Sequence, residues 1–240
     1  LLTLADGDGR YLLTLAENIS REIGRDTQLT SDELLEVISR RAPLYDKSDE
    51  GHYNLISALH KSIRGSDPDA ALYWLSRMLD GGEDPLFLAR RLVRMASEDI
   101  GLAAPQALSL SLAAWDTYER LGSPEGELAL AQAVVYLATA PKSNAVYTAF
   151  KQSQKEAKET GSLMPPAHIL NAPTKLMKEV GYGAGYIYDH DTADRFSGQN
   201  YFPEEIGRRQ YYTPPQAGFE REINNRLQNW DQLRKEKQAK

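Results

Sequence analysis

The residues of this chain best suited to contact chemistry are basic. Lys61 and Arg64 close one expected helix, and Arg90, Arg91 and Arg94 fall within five positions on another. Arg90 and Arg94 are one helical turn apart with Arg91 beside them, so a helix sets three guanidiniums on one side. Such a row could track phosphates, releasing counterions as it neutralises a nucleic-acid backbone. The competing reading is a solvated helix face. Arg94 would then pair with Glu98 one turn later, and Lys61 and Arg64 would sit where a helix C-terminus favours cations anyway.

Other site chemistry is poorly provided for. The chain has no cysteine, which excludes disulfides, Cys-ligated zinc and thiol catalysis, and fits a reducing compartment. In DHDTAD, His190 stands between Asp189 and Asp191 with Asp194 close by. The segment lacks a second His at ligand spacing and lacks a calcium-loop pattern, so turn and capping roles are expected. His52, His60 and His168 have no evident acid or nucleophile partner, and no elbow motif supports a Ser-His-Asp order. Tyr73, Trp74 and Trp115 lie on helices, where packing is the expected role ahead of base stacking. No GxxxxGK[ST] loop and no Walker-B strand occur, and the glycines of GYGAGY do not stand between a strand and a helix. No catalytic residue or metal ligand is assigned, and this chain by itself is not expected to hydrolyse ATP. A stand-alone enzyme on a helical scaffold finds no constellation to carry it.

Composition bounds the rest. With 240 residues, 41% hydrophobic and 26% charged, the chain is an ordinary globular length of one or two domains. No apolar run reaches the roughly 18 residues of a membrane span; LALAQAVVYLATA is short and interrupted by Gln132. The net charge of −6 makes a dominant nucleic-acid surface unexpected, so any such contact is a local patch. The opening LLTLADGDGR, with no methionine, reads as the end of a helix that begins earlier, as in a fragment.

Helices account for most of the sequence. Asp8 caps one from about Gly9 to Ile23 with Leu12, Ala16, Ile19 and Ile23 as its stripe, and Thr30 with Glu33 forms a capping box before Leu34–Ile38. A helix follows to Arg64 with Leu55, Ile56, Leu59 and Ile63 inward. Asp67-Pro68 opens the next, with Ala71, Leu75, Met78 and Leu79, and Asp84-Pro85 opens another, with Leu86, Ala89, Val93, Ala96 and Ile100. The Gly81-Gly82 turn between them suggests an antiparallel hairpin. After Pro105, Leu108, Leu112 and Trp115 share a face. In the segment after Pro124, Leu128, Ala131, Val135 and Ala138 face one way and Leu130, Val134 and Leu137 another. A helix apolar on most sides belongs in a core or at a subunit interface. Ser143 caps a further helix with Val146 and Phe150 inward. The expected fold is all-α: a helical unit over 1–44, a helical bundle over 45–162, and an irregular Gly/Tyr/Pro-rich tail over 163–240. That tail should be anchored by Tyr182, Tyr186, Tyr188, Tyr201 and Phe202, and close with an amphipathic helix carrying Phe219, Ile223, Leu227 and Trp230.

The blocks SALHKSIRGSD, YWLSRML, GGEDPLFLARRLVRMASEDIGL, APKSNAVYTA and NAPTKLMKEVGYG resemble the C-terminal half of one AAA+ ATPase family. It is the replication-associated recombination protein A (MgsA) family, related to Werner-helicase-interacting protein, and the likeness runs from about Leu1 to Tyr212. The resemblance implies that 1–44 is a remnant of the AAA+ lid and that the bundle is a clamp-loader-like collar assembling a homotetramer. It makes Arg10 the sensor-2 arginine, whose planar fork suits nucleotide phosphates. It also implies a parent that uses ATP and magnesium and works on single-stranded or forked DNA at stalled forks, beside partners such as single-strand-binding protein. The expected setting is the bacterial cytoplasm, at the nucleoid, with no membrane partner. The alternative is a helical DNA- or protein-binding module that uses the basic patch without assembling.

Overall fold

The computed structural model describes residues 49–239, together with Leu12, Leu13, Ala16, Glu17, Ile19 and Thr30. Those five from Leu12 to Ile19 are helical; Leu12 and Ile19 are half-buried, while Ala16 is exposed. The remaining expectations for 1–48, including Arg10 and the Thr30–Glu33 box, lie outside the described residues. Between 49 and 239 the chain forms eight α-helices and, among the described residues, no strand, the all-α architecture expected. They are α1 (Asp49–Arg64), α2 (Pro68–Asp80), α3 (Pro85–Met95), α4 (Gln106–Leu121), α5 (Glu127–Thr139), α6 (Ala145–Thr160), α7 (Lys175–Glu179) and α8 (Glu220–Gln238). The chain divides into two compact units, the first holding 49–93 and 110–139, the second 94–109 and 140–239.

The first unit is built on α1, α2 and α5, which pack on one another. The local signals that start α2 act as read. The Asp67 carboxylate accepts from the Ala70 N–H at 2.9 Å, Pro68 takes the first helical position, and Gly82 at φ +81° ends the turn. The core is Ile56, Leu59 and Ile63 from α1, Ala71, Leu75 and Met78 from α2, and Leu130, Ala133, Val134, Leu137 and Ala138 from α5, all buried. Each large aliphatic here contributes about 1.5–3 kcal/mol by leaving water. Leu55 and Leu79 are half-buried.

Three expectations change, that for α3 only in part. The α2–α3 hairpin is not a close pair: α2 spends its single stripe on α1 and α5. In α3 and the turn after it the buried set is Leu88, Ala89, Leu92, Met95, Ala96 and Ile100, with Leu86 and Val93 half-buried. The expected Ala89, Ala96 and Ile100 are thus buried, and the stripe before the π-helical turn over Ala96–Ile100 runs through Leu88, Leu92 and Met95. In α4 the buried residues are Ala107, Ser111 and Ala114, whereas Leu108 and Leu112 are exposed and Trp115 is half-buried. The small side chains are the buried ones there, and the leucines are left outside.

The second unit is held by interlocked loops. The Ser143 N–H donates to the Asp99 carbonyl at 2.7 Å. Gly101 sits at φ +53°, where a Cβ would lie 2.9 Å from the Ser143 carbonyl oxygen, so only glycine fits. The N-cap of α6 is Asn144 rather than the expected Ser143, whose hydroxyl, one residue earlier, accepts from the Ala145 N–H at 3.2 Å. Gly218, at φ +48°, lies against the Ala103 carbonyl, which accepts from the Phe219 N–H at 2.9 Å. That contact docks the start of α8.

The tail is anchored by tyrosines other than those expected. Tyr186, Tyr188 and Tyr201 stand about half out in solvent, while Tyr182 and Phe202 are half-buried. The ties to the helices come instead from Arg209, Tyr211 and Tyr212. Arg209 Nε and the Tyr211 hydroxyl donate to the two carboxylate oxygens of Glu156 on α6, each at 2.7 Å. The Tyr212 hydroxyl donates at 2.7 Å to Glu220, which is fully buried. A buried tyrosine needs an acceptor for its hydroxyl, and the carboxylates provide one. On α8, Phe219, Ile223 and Leu227 are half-buried; Trp230 is half-exposed and stacks 6.5 Å from Phe196.

The bonds from Arg209 and then Tyr211 hold the Glu156 carboxyl below its ordinary value of 4.5. A carboxyl depressed on folding adds stability above its unfolded pKa and loses it as pH falls through the folded one. Glu156→Gln should therefore loosen residues 205–215, read as faster proteolysis at neutral pH. In the parent chain the same loosening should set in below about pH 4.5, whereas in Glu156→Gln it should show no acid step. In the first unit, Leu59→Ala or Leu137→Ala should each cost about 2–5 kcal/mol in urea unfolding, as fully buried leucines do.

Candidate functional site

The basic residues resolve into separate situations. Lys61 and Arg64 lie exposed on the last turn of α1, with the Arg64 guanidinium 3.1 Å from His60 Nε2. Arg90 is exposed, 3.7 Å from Asp84, with its guanidinium 5.8 Å above the Phe87 ring. Arg94 Nε is 2.9 Å from Glu98 Oε2, the pairing that the solvated-face reading names. Arg91 is half-buried, and its buried Nε has no hydrogen-bond partner. Helix α3 carries all three arginines, but acids on the same stretch answer two of them. Residues 83–99 hold Glu83, Asp84, Glu98 and Asp99 against Arg90, Arg91 and Arg94, a net charge of −1. A phosphate would have to displace or tolerate those carboxylates. Exposed pairs of this kind are worth little to stability, but they do lower the local positive field.

The loop around His190 is structural. Asp189 accepts from the Ser197 N–H at 2.7 Å and from the Tyr201 hydroxyl at 3.2 Å, and the bonds from Ser197 hold its carboxyl below the usual range. Among the described residues no group of three acidic or histidine side chains could hold a metal ion.

Two surfaces that the basic pattern did not mark stand out. The first is on α5. One face of this helix is fully buried, while Leu128 is 76% exposed and Val135, two turns on, is 37% exposed, with Gln132 between them. Leu112 and Leu121, at the inner part and end of α4 in the same unit, are also exposed. The near-continuous apolar sequence of α5 was the signal for this surface, and the fold shows which half of it stays open.

The second is a groove in the second unit, of about 480 Å³, with Leu102, Val146, Phe150 and Leu227 as its apolar wall and Arg208 and Asp231 at its charged end. Val146 and Phe150, expected inward, are 41% and 60% exposed; the inward residue of α6 is the smaller Ala149. Asp231 is shared by Arg208, at 3.8 Å, and Arg234. Burial, and then Arg234, press the Arg208 guanidinium below its ordinary value, and Asp231 pulls the other way. A long apolar side chain on a helix that has few neighbours gives no warning in sequence that it lines an open groove.

Among the described residues no helix is long and apolar enough to cross a membrane. A family model described as MgsA AAA+ ATPase C terminal matches residues 65–231, and one described as AAA C-terminal domain matches residues 1–64. The chain is 54% identical over 241 residues to the replication-associated recombination protein A of Coxiella burnetii, covering 97% of this chain and 54% of that protein. It is 48% identical over 229 residues to the protein of that name from Escherichia coli K12, covering 93% and 51%. To the ATPase WRNIP1 of Dictyostelium discoideum it is 40% identical over 232 residues, covering 88% and 26%. The chain thus spans about half the length of its bacterial relatives. With both models placed end to end along it, this chain belongs to the MgsA family of AAA+ ATPases and carries the family's C-terminal region.

Proposed function

We propose that this chain is the self-associating C-terminal part of an AAA+ ATPase that acts in DNA replication, recombination and repair at stalled forks, and that it assembles as a homotetramer. The observation that carries the reading is α5. Its buried face completes the first unit's core, and its opposite face exposes Leu128 and Val135, two turns apart on one side. Apolar patches of this kind on a soluble surface mark contacts with another protein, and a second copy is the partner always at hand.

ATP and magnesium belong, in this reading, to a nucleotide module outside the described residues. Arg10, as sensor 2, would contribute one phosphate contact to it, and the chain alone would not turn ATP over. Single-stranded or forked DNA and single-strand-binding protein are assigned to the whole ATPase. The acid-laced helix α3 supports that assignment, as does the net charge of −6.

Light scattering on the purified chain should give about four times its 26.9 kDa mass at micromolar concentration. Leu128→Glu with Val135→Glu should lower that mass and leave the helical circular dichroism unchanged. A mass of one chain would overturn the reading. For DNA, Arg90→Ala with Arg94→Ala should change the chain's affinity for single-stranded and forked DNA by less than about threefold, because those charges are already paired. A steeper loss, with a smaller salt slope, would return the basic helix to a DNA-binding role.

A further inference from the structure

The lysines of α6 are placed differently from the arginines of α3. Lys151, Lys155 and Lys158 follow one another at spacings of four and three, on one side of the helix, and all three are exposed. Lys155 is 3.8 Å from Glu159, an exposed pair of little strength. Lys151 stands 4.5 Å above the Tyr147 ring, and neither it nor Lys158 makes an ion pair among the described residues. The other carboxylate of α6, Glu156, is turned to Arg209 and Tyr211. The wider charge balance agrees. Residues 94–109 and 140–240, the second unit, hold 16 basic and 14 acidic side chains, so the negative balance of the chain lies wholly in the first.

Beside this row is a polar pocket of about 550 Å³, walled by Lys142, Asn144, Thr148, Gln152, Gln210 and Tyr211. Among the described residues no carboxylate lines it, and Lys142 is its one charged group. The Lys142 ammonium donates to the Ala140 carbonyl at 2.6 Å; burial lowers its pKa, and the buried Asp99 opposes that. Thr148 and Gln152 precede Lys151 and Lys155 by three residues, so pocket and row are neighbours round one helix. The pocket has the volume of a small-ligand site. Its amides offer donors and acceptors together, as the edge of a nucleobase requires. The Tyr211 ring is a fixed wall, since its hydroxyl donates to Glu156 at 2.7 Å.

We propose that α6 holds a strand of single-stranded nucleic acid, with phosphates along Lys151, Lys155 and Lys158 and a base in the pocket between Gln152 and Tyr211. The inference rests on the DNA role put forward above and gives this chain a part in it. The row supplies attraction without sequence preference, and the pocket takes only a base that is unstacked and unpaired. An acidic protein segment would suit the lysines alone, because carboxylates bring acceptors and no donors to the amides.

Fluorescence anisotropy of the purified chain with a labelled single-stranded DNA at low salt tests this. Lys151→Ala with Lys158→Ala should weaken binding about fivefold or more and lower the slope of log affinity on log salt by about 1.4, at ~0.7 for each phosphate contact on a single strand. Gln152→Glu sets a carboxylate in the pocket and should weaken binding about tenfold. Lys178→Ala with Lys235→Ala, exposed in the same unit but off α6, should change it less than about twofold. All these positions are exposed, so the helical circular dichroism should stay unchanged. Equal losses from the two lysine pairs would overturn the inference. So would no binding at low salt, tighter binding of duplex than of single strand, or competition by polyglutamate as strong as by unlabelled strand. Light scattering separates this inference from the assembly reading. A four-chain particle without strand binding defeats the inference alone; a single-chain particle that binds through Lys151 and Lys158 defeats the tetramer alone.

Discussion

The one-sided burial of α5 is the constraint on which the first unit depends. Thirteen residues, almost all apolar, must serve two environments. Leu130, Ala133, Val134, Leu137 and Ala138 leave water completely against α1 and α2. That burial commits the helix to one rotation about its axis. The same rotation forces Leu128 and Val135 outward, because no helix can bury a full circumference against two neighbours. Core and exposed apolar surface are consequently not independent. Any sequence change that makes α5 a tidy amphipathic helix would keep the core and delete the surface.

The second unit solves a different problem. Its chain after α6 has little regular structure, so its backbone groups and side chains must be satisfied piecemeal. Carboxylates do much of this. Glu156 collects Arg209 and Tyr211, Asp189 collects Ser197 and Tyr201, and Glu220, wholly buried, takes the Tyr212 hydroxyl. Glycines at Gly101 and Gly218 let backbone meet backbone where a side chain would collide. A tail tied by charged hydrogen bonds rather than by a packed core leaves apolar surface uncovered, and the open groove beside Phe150 follows from that.

The chain carries the C-terminal region of an AAA+ ATPase family. The described residues offer packing faces and a groove in place of a catalytic constellation. The arginines of α3 illustrate the difference between residue type and residue role. Spacing alone makes them a phosphate row; Asp84, six residues before Arg90, and Glu98, one turn after Arg94, pair with two of them at the surface.

Local rules were legible from the chain because they act within one or two turns. The Asp67-Pro68 start and the all-α class follow from hydrogen bonds and propensities that need no distant partner. The inward residues of α1 and α2 were equally plain, since each helix has a single apolar stripe. What only the tertiary structure decided is which of two eligible faces goes in. On α4 it chose Ala107, Ser111 and Ala114 over the leucines, and on α6 Ala149 over Val146 and Phe150. On α3 it chose Leu88, Leu92 and Met95 over Leu86 and Val93. Hydrophobicity ranks side chains by their cost in water, but burial also requires that helices approach, and close approach rewards the small residue. The sequence states the first preference openly; the second exists only once the neighbouring helix is there.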